Sequence, residues 1–234
     1  MSFKYKSIVD KYLNPDYGCP MKEPRSLLDV APVMPLLRIH DAAQAADVVP
    51  VARAITAAGL PMVHIALEGP HALTAIERLA TGAPDVIVGA GELTDAAQPA
   101  LARAAGAEFL VAADGTPELC AAMRASELPH LPGVRTDLDA ARLLDDGYTD
   151  MVLTGGRRVL RSLASFAPSA RFAVAGASAA DVAGHLAAPN VRCVLADWLA
   201  PPAAVQQRDW DRVRRLAAVA LTLGSPSVSA VRAL

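Results

Sequence analysis

Lysine is missing from almost the whole of this chain. Its four lysines, Lys4, Lys6, Lys11 and Lys22, all lie in the opening segment, and the cationic residues after them are arginine. Chemistry that needs an amine nucleophile from the body of the chain is therefore excluded. Aromatic residues are scarce at 4%, yet Phe3, Tyr5, Tyr12 and Tyr17 crowd into the first seventeen positions. Cys19, Cys120 and Cys193 are odd in number and lack metal-ligand spacing, which argues against a disulfide framework and predicts reduced thiols. Apolar residues reach 53%, but no run is long enough for a membrane span. The start is polar and aromatic rather than a charged-apolar-small leader, so a soluble cytoplasmic protein is expected. A net charge of -2 supplies no basic field, and neither nucleic acid nor membrane is expected as a partner.

What is present divides unevenly. The 234 residues suffice for one large domain or two small ones. The composition assigns residues 1–30 to an N-terminal arm, 31–224 to the alanine-rich body and 225–234 to a C-terminal tail. In the arm, Ile8, Val9, Tyr12 and Leu13 fit one face of a short helix that Asn14-Pro15 would stop, and Gly18-Cys19-Pro20 reads as a turn. Such an arm packs on its own body or a neighbouring subunit, or else serves as a docking element or lid that brings Cys19 to a site. Nothing near Cys19 in the sequence supplies the positive surroundings that activate a thiol.

The body alternates apolar runs with helical stretches. Strands are expected over 33–39, 62–67, 86–88, 109–112, 129–134, 151–154, 172–175 and 191–195. Helices are expected over 42–58, 71–80, 94–105, 117–126, 137–145, 157–165, 179–187 and 209–223, with Pro50 marking a helix start or kink. In Pro84–Glu92, PDVIVGAGE, a wholly apolar run ends in glycines and then a carboxylate, the pattern of a central parallel strand and its turn. Eight such units predict an α/β fold, a (β/α)8 TIM barrel with an N-terminal extension. An open doubly wound sheet is the alternative, but no G-x-G-x-x-G or Walker sequence follows the first strand, and Gly89-Ala90-Gly91 reads as a packing turn.

A barrel carries its chemistry at the carboxyl ends of its strands. Those ends offer Arg38 and His40, His64 and Glu68, Glu92, Asp114, Arg135, Thr154 with Arg157, Ser178, and Asp197. This acid-leaning ring suits acid-base chemistry or a bound cation, and is equally what solvated loop residues would look like. Alternation along the second strand puts His64 on one face with Ala66 and Glu68, looking into the barrel. There it would titrate near neutrality as an acid or base, or else be a core histidine satisfied by a backbone carbonyl. Thr154-Gly155-Gly156-Arg157-Arg158 reads as an anion site at a helix start.

From about Pro32 to Leu223 the chain resembles the class I 2-keto-3-deoxy-6-phosphogluconate/4-hydroxy-2-oxoglutarate aldolases. The resemblance is carried by PVMPLLR (32–38), AAGLPMVHIALEG (57–69), PDVIVGAGEL (84–93), AGAEFLVAADG (105–115), LPHLPGVRT (128–136) and DWLAPP (197–202). It implies a homotrimeric barrel, a lysine Schiff base with a 2-oxo acid, a proton-shuttling glutamate and a glycine-rich phosphate or carboxylate site. Arg38, Pro132 and Gly133 match the family pattern. The functional positions depart from it. His64 stands at the family's glutamate, Glu68 at its arginine, Glu92 at its threonine, and Ala112-Ala113 at its serine-proline pair. Val152 stands at the Schiff-base lysine, Val174-Ala175-Gly176-Ala177 at the phosphate turn, and Leu195-Ala196-Asp197 at the Gly-Gly-Ser of the last strand.

The expectation is thus a divergent barrel without the Schiff-base lysine. Its pocket would be repurposed for a small molecule, cationic or metal-bound, with His64 and Glu92 as catalytic candidates. Arg38, Glu68, Asp114, Arg135, Thr154, Arg157 and Asp197 are the binding candidates. No cofactor is expected, a divalent metal being the alternative. The other readings are a silent oligomeric scaffold whose residues 1–30 recruit a protein partner, and a residual 2-oxo acid aldolase using an arm lysine.

Overall fold

A computed structural model of the protein describes residues 26–224. The expectations for Cys19, the four lysines, most of the arm and the tail lie outside these residues. Nine strands are assigned: β1 Val33–Leu37, β2 Met62–Ala66, β3 Ile87–Leu93, β4 Phe109–Ala112, β5 His130–Leu131, β6 Gly133–Val134, β7 Asp150–Leu153, β8 Arg171–Val174 and β9 Val191–Ala196. Between and after them run helices α1 Ala42–Thr56, α2 Ala72–Gly82, α3 Gln98–Ala104, α4 Pro117–Ala125, α5 Asp137–Asp145, α6 Gly156–Phe166, α7 Val182–Leu186, α8 Pro202–Gln206 and α9 Trp210–Leu223. The strands pair in parallel in the order β5-β4-β3-β2-β1-β9-β8-β7-β6. Only Pro132 separates β5 from β6, so these two pieces are one barrel strand and the sheet runs round to its own start. Proline has no N–H for the ladder. Its carbonyl still accepts from Val152 N at 2.9 Å, which carries the pairing across the break. The architecture is the (β/α)8 TIM barrel.

Two cores follow from strand alternation. Val63, Ile65, Val88, Ala90, Leu110 and their counterparts point outward and pack beneath the helices. Met34, Met62, Ile87, Phe109, Leu131, Val152, Ala173 and Cys193 point inward and fill the barrel. Gly89-Ala90-Gly91 is not a turn, as its composition suggested, but the middle of β3. The reason is space inside the barrel. A Cβ on Gly89 would come within 2.5 Å of Phe109 Cε1 and Cε2, and one on Gly91 would collide with His64 Cδ2. The glycines flatten one strand so that two large rings fit.

Pro50 does not start a helix either, because α1 runs through it from an Asp41 cap whose carboxylate accepts from Gln44 N at 2.7 Å. The short α8 had no separate expectation. Among the described residues no helix is long and apolar enough to cross a membrane.

The amino end of the barrel is closed by a 3-10 turn, Leu27–Asp29, whose Leu27 and Leu28 join the inner core. Those residues fall within the range assigned to the arm, yet they belong to the body. Arg171, at the start of β8, ties them down. It makes two 2.7 Å hydrogen bonds to Asp150 and reaches Asp29 at 3.1 Å. The paired Asp150 bonds, with help from Asp29, hold the guanidinium above its ordinary value against the opposing effect of burial. Two parallel N–H···O bonds to one carboxylate are a strong arrangement, moderated here by partial exposure. Arg171→Ala is expected to cost about 1–2 kcal/mol and to speed amide exchange at Leu27 and Leu28 before the rest of the barrel, as read by hydrogen-exchange mass spectrometry.

Candidate functional site

Four adjacent strands deliver the main cluster at the carboxyl end. In the order β3-β2-β1-β9, their ends carry Glu92, Glu68, Arg38 and Asp197. Arg38 stands at the centre. Its Nη1 donates to Glu68 Oε1 at 2.7 Å, its Nη2 lies 3.7 Å from Glu92 Oε1, and its Nε lies 3.9 Å from Asp197 Oδ2. Burial disfavours the guanidinium charge, but the Glu68 bond and the three carboxylates outweigh it and hold Arg38 above its ordinary value.

One cation among three carboxylates leaves an excess of two negative charges when all are ionised. Glu92 bears most of the strain. Its side chain is 27% exposed. Burial raises its carboxyl above the ordinary value, Arg38 pulls it down, and Glu68 and Asp197 push it up again. Its backbone adds to this: φ is +55°, in the left-handed region that glycine favours, where the register between β3 and β4 shifts. Such strain costs of order 1–3 kcal/mol and tends to gather at functional sites.

His64 lies one layer down. It is fully buried, its ring lies against Gly91, and it is tilted toward Phe109 with 6.1 Å between ring centroids. Among the described residues neither ring nitrogen makes a hydrogen bond of good geometry. Burial drives its pKa down to about 3, the Pro35 carbonyl opposing and Arg38 adding to the fall. The near-neutral titration expected from the sequence is thereby lost, because desolvation outweighs everything else in the site. His64 is a neutral imidazole at physiological pH, and the expected satisfying carbonyl does not make a proper bond.

The remaining candidates sit elsewhere on the rim. Asp114, after β4, pairs with Arg135, after β6, at 2.8 Å. Thr154 gives its hydroxyl proton to the Val134 carbonyl at 3.2 Å. Arg157, near the start of α6, pairs with Asp181, which also accepts from Ser178 Oγ at 2.6 Å. The anion site expected at Arg157 therefore already has a carboxylate on it. Asp181 is not among the expected site residues, although Ser178-Ala179-Ala180-Asp181 is an S-x-x-D pattern that marks local hydrogen bonding at a helix start. Phe109 and Gly91, which shape the His64 niche, carry no polar signal and were missed as site residues. Val152 is 1% exposed in the inner core. Among the described residues no group of three or more His, Cys, Asp or Glu is arranged to hold a metal ion. The carboxylates that might have done so are turned toward Arg38.

The sequence model for KDPG and KHG aldolases matches residues 25–216, which takes in every strand and every rim residue above. The chain belongs to that aldolase family. The 2-dehydro-3-deoxy-phosphogluconate aldolase of Pseudomonas aeruginosa is 36% identical over 197 residues, covering 82% of this chain and 88% of the relative. Its counterpart in Pseudoalteromonas atlantica is 35% identical over 192 residues, covering 80% and 88%. Among solved structures, the KDPG aldolase of Legionella pneumophila, with pyruvate captured as a covalent carbinolamine intermediate, superposes with a TM-score of 0.78 at 28% identity over 83% of this chain and 96% of that one. The Zymomonas mobilis 2-keto-3-deoxy-6-phosphogluconate aldolase with 3-phosphoglycerate gives 0.76 at 32% identity, covering 84% and 93%. This member of the KDPG and KHG aldolase family thus shares a barrel with lyases. Its Arg38 cluster is the polar centre at the end where barrel enzymes act.

Proposed function

We infer that this family member works without a lysine iminium and uses the Arg38 mouth as a pocket for a small cationic molecule. The observation that carries this is the absence of lysine from residues 23–234. A carbinolamine forms when an amine adds to a carbonyl carbon, and an iminium follows when water leaves; both need a primary amine inside the barrel. By resemblance that position is Val152, an apolar side chain in the packed interior.

The charge balance supports the ligand class. A mouth with more carboxylates than cations attracts a positive group, and low surrounding polarity strengthens the attraction. Glu92 is the group that would handle a proton, since it is strained, half-buried and its carboxyl is raised above its ordinary value by burial. His64, fully buried beneath the cluster, then serves as a neutral, packed floor. The family resemblance brings a homotrimer with it, and Leu138 and Phe166, 78% and 57% exposed, are large apolar side chains that subunit contact would cover.

The test is reductive trapping. With pyruvate and borohydride, the Legionella pneumophila relative should gain an adduct in intact-mass spectrometry, and the full-length chain should not. An adduct on Lys4, Lys6, Lys11 or Lys22 would overturn the proposal and restore aldol chemistry through the arm. A silent scaffold differs in one respect: no small amine would raise its melting temperature, whereas a ligand bound to the folded state must do so.

A further inference from the structure

Beside the Arg38 cluster, between β1, α1 and the segment from β9 into α8, lies a cavity of about 120 Å³. Its inner wall is aliphatic: Leu37, Val48, Val51 and Val205. Its polar edge is formed by Arg38, His40, Gln44 and Asp197. Neither residue type nor position suggested this space in the sequence, because two of its walls are helix faces that read as ordinary core. We propose that the cavity is an aliphatic subsite opening onto the charged mouth, and that it takes the branched chain of a small primary amine whose ammonium group rests on Asp197.

The two ends of the site select opposite halves of one molecule. Asp197 is the carboxylate that Arg38 engages least, at 3.9 Å against 2.7 Å for Glu68, and its side chain is 50% exposed. It retains acceptor capacity toward an incoming donor. Val48 and Val51 line the cavity and offer no hydrogen bond, so the wall they form favours an alkyl group over a polar one. An apolar cavity of about 150 Å³ holds a benzene, so a space of about 120 Å³ is on the scale of a short alkyl group. A short branched chain fits, and a hydroxyl placed against the valines rather than at the polar edge would go unpaired. Arg38 does not repel the ammonium outright, since its own charge is met by Glu68 and Glu92.

This inference rests on the reading of the mouth as a cation pocket, and the ligands are chosen to separate the two. Isothermal titration of the full chain would use isopentylammonium, methylammonium and isopentanol as probes, with Val205→Phe to fill the cavity and Asp197→Asn to remove the anchor. Isopentylammonium is expected to bind at least tenfold tighter than methylammonium, since each buried methylene is worth about a fourfold change in Kd, and at least tenfold tighter than isopentanol, which brings no charge to Asp197. Val205→Phe should abolish that advantage and leave methylammonium unchanged, and Asp197→Asn should weaken both amines but not the alcohol. Equal binding of the two amines would leave the cation pocket standing and overturn the aliphatic subsite. Equal binding of isopentylammonium and isopentanol would keep the cavity and overturn the ammonium assignment together with the cation pocket. If no probe binds, both fall. The comparison among probes on the unaltered protein stands even where a variant fails to fold.

Discussion

Arg38→Ala is expected to make the protein's stability strongly dependent on pH. The guanidinium is the one cation within reach of Glu68, Glu92 and Asp197 among the described ion pairs of this mouth. Without it three carboxylates face one another, and Glu92 loses the interaction that lowers its pKa while keeping the burial and the two neighbours that raise it. A carboxyl whose folded value exceeds its unfolded one stabilises the fold below the unfolded value, and that contribution is lost as pH rises through the folded one. The variant's deficit should therefore be greatest above the raised Glu92 value. It should shrink as pH falls toward and below the ordinary 4.5. With these side chains partly exposed, the loss at neutral pH should be about 1–2 kcal/mol after solvent screening. Urea denaturation at a series of pH values checks it. A deficit that stays constant from acid to neutral pH would mean that Arg38 acts by packing alone.

Gly89→Ala should be the more damaging change to the fold. The added Cβ would press into a Phe109 ring that is fully buried and shares the inner core with Met62, Ile87 and Leu131. Forcing a methyl into a packed interior costs about 1–3 kcal/mol, occasionally more, and a ring with nowhere to turn belongs at the upper end. For a chain of this size that corresponds to a fall in melting temperature of roughly 6–12 °C. The urea midpoint should drop with its slope unchanged. Adding Phe109→Leu should recover part of the loss, a coupling expected of two groups competing for one volume. If the double variant is merely additive, the collision is not what makes glycine necessary there.

These two residues also mark where sequence reasoning reached and where it stopped. Arg38, Glu68, Glu92 and Asp197 are all legible as rim residues, because each follows an apolar run and strand ends can be counted. Their gathering into one cluster could not be counted. It depends on β1 lying between β2 and β9, a neighbour relation between the first and last strands that no local pattern contains. Arg135, Asp114, Thr154 and Arg157 satisfied the same rule, and the structure distributes them to other partners around the rim. For His64 the facing direction was legible from alternation. Its protonation was not, since that follows from how completely Phe109, Gly91 and the neighbouring strands remove water from the ring.

Glycine misled for a related reason. In Gly89-Ala90-Gly91 a missing side chain normally signals a turn, but the same absence serves close approach in the middle of a strand. The choice between them depends on Phe109 and His64, which come from two other strands. Pro50 is a parallel case, where the rest of α1 packs well enough on the barrel to carry an interior proline.

By itself the sequence determined the repeating strand-helix rhythm, the alternation that sends one set of side chains inward, and the confinement of lysine to the first 22 positions. These are local or compositional properties, and hydrophobic periodicity and residue identity are enough to read them. Only the tertiary structure decided that Arg38 is ringed by three carboxylates and that Glu92 sits strained at their edge. Nor was it otherwise visible that an aliphatic cavity adjoins them. Those depend on distances between residues far apart in the chain, and the energies of charge and burial are functions of distance and water, not of order along the backbone.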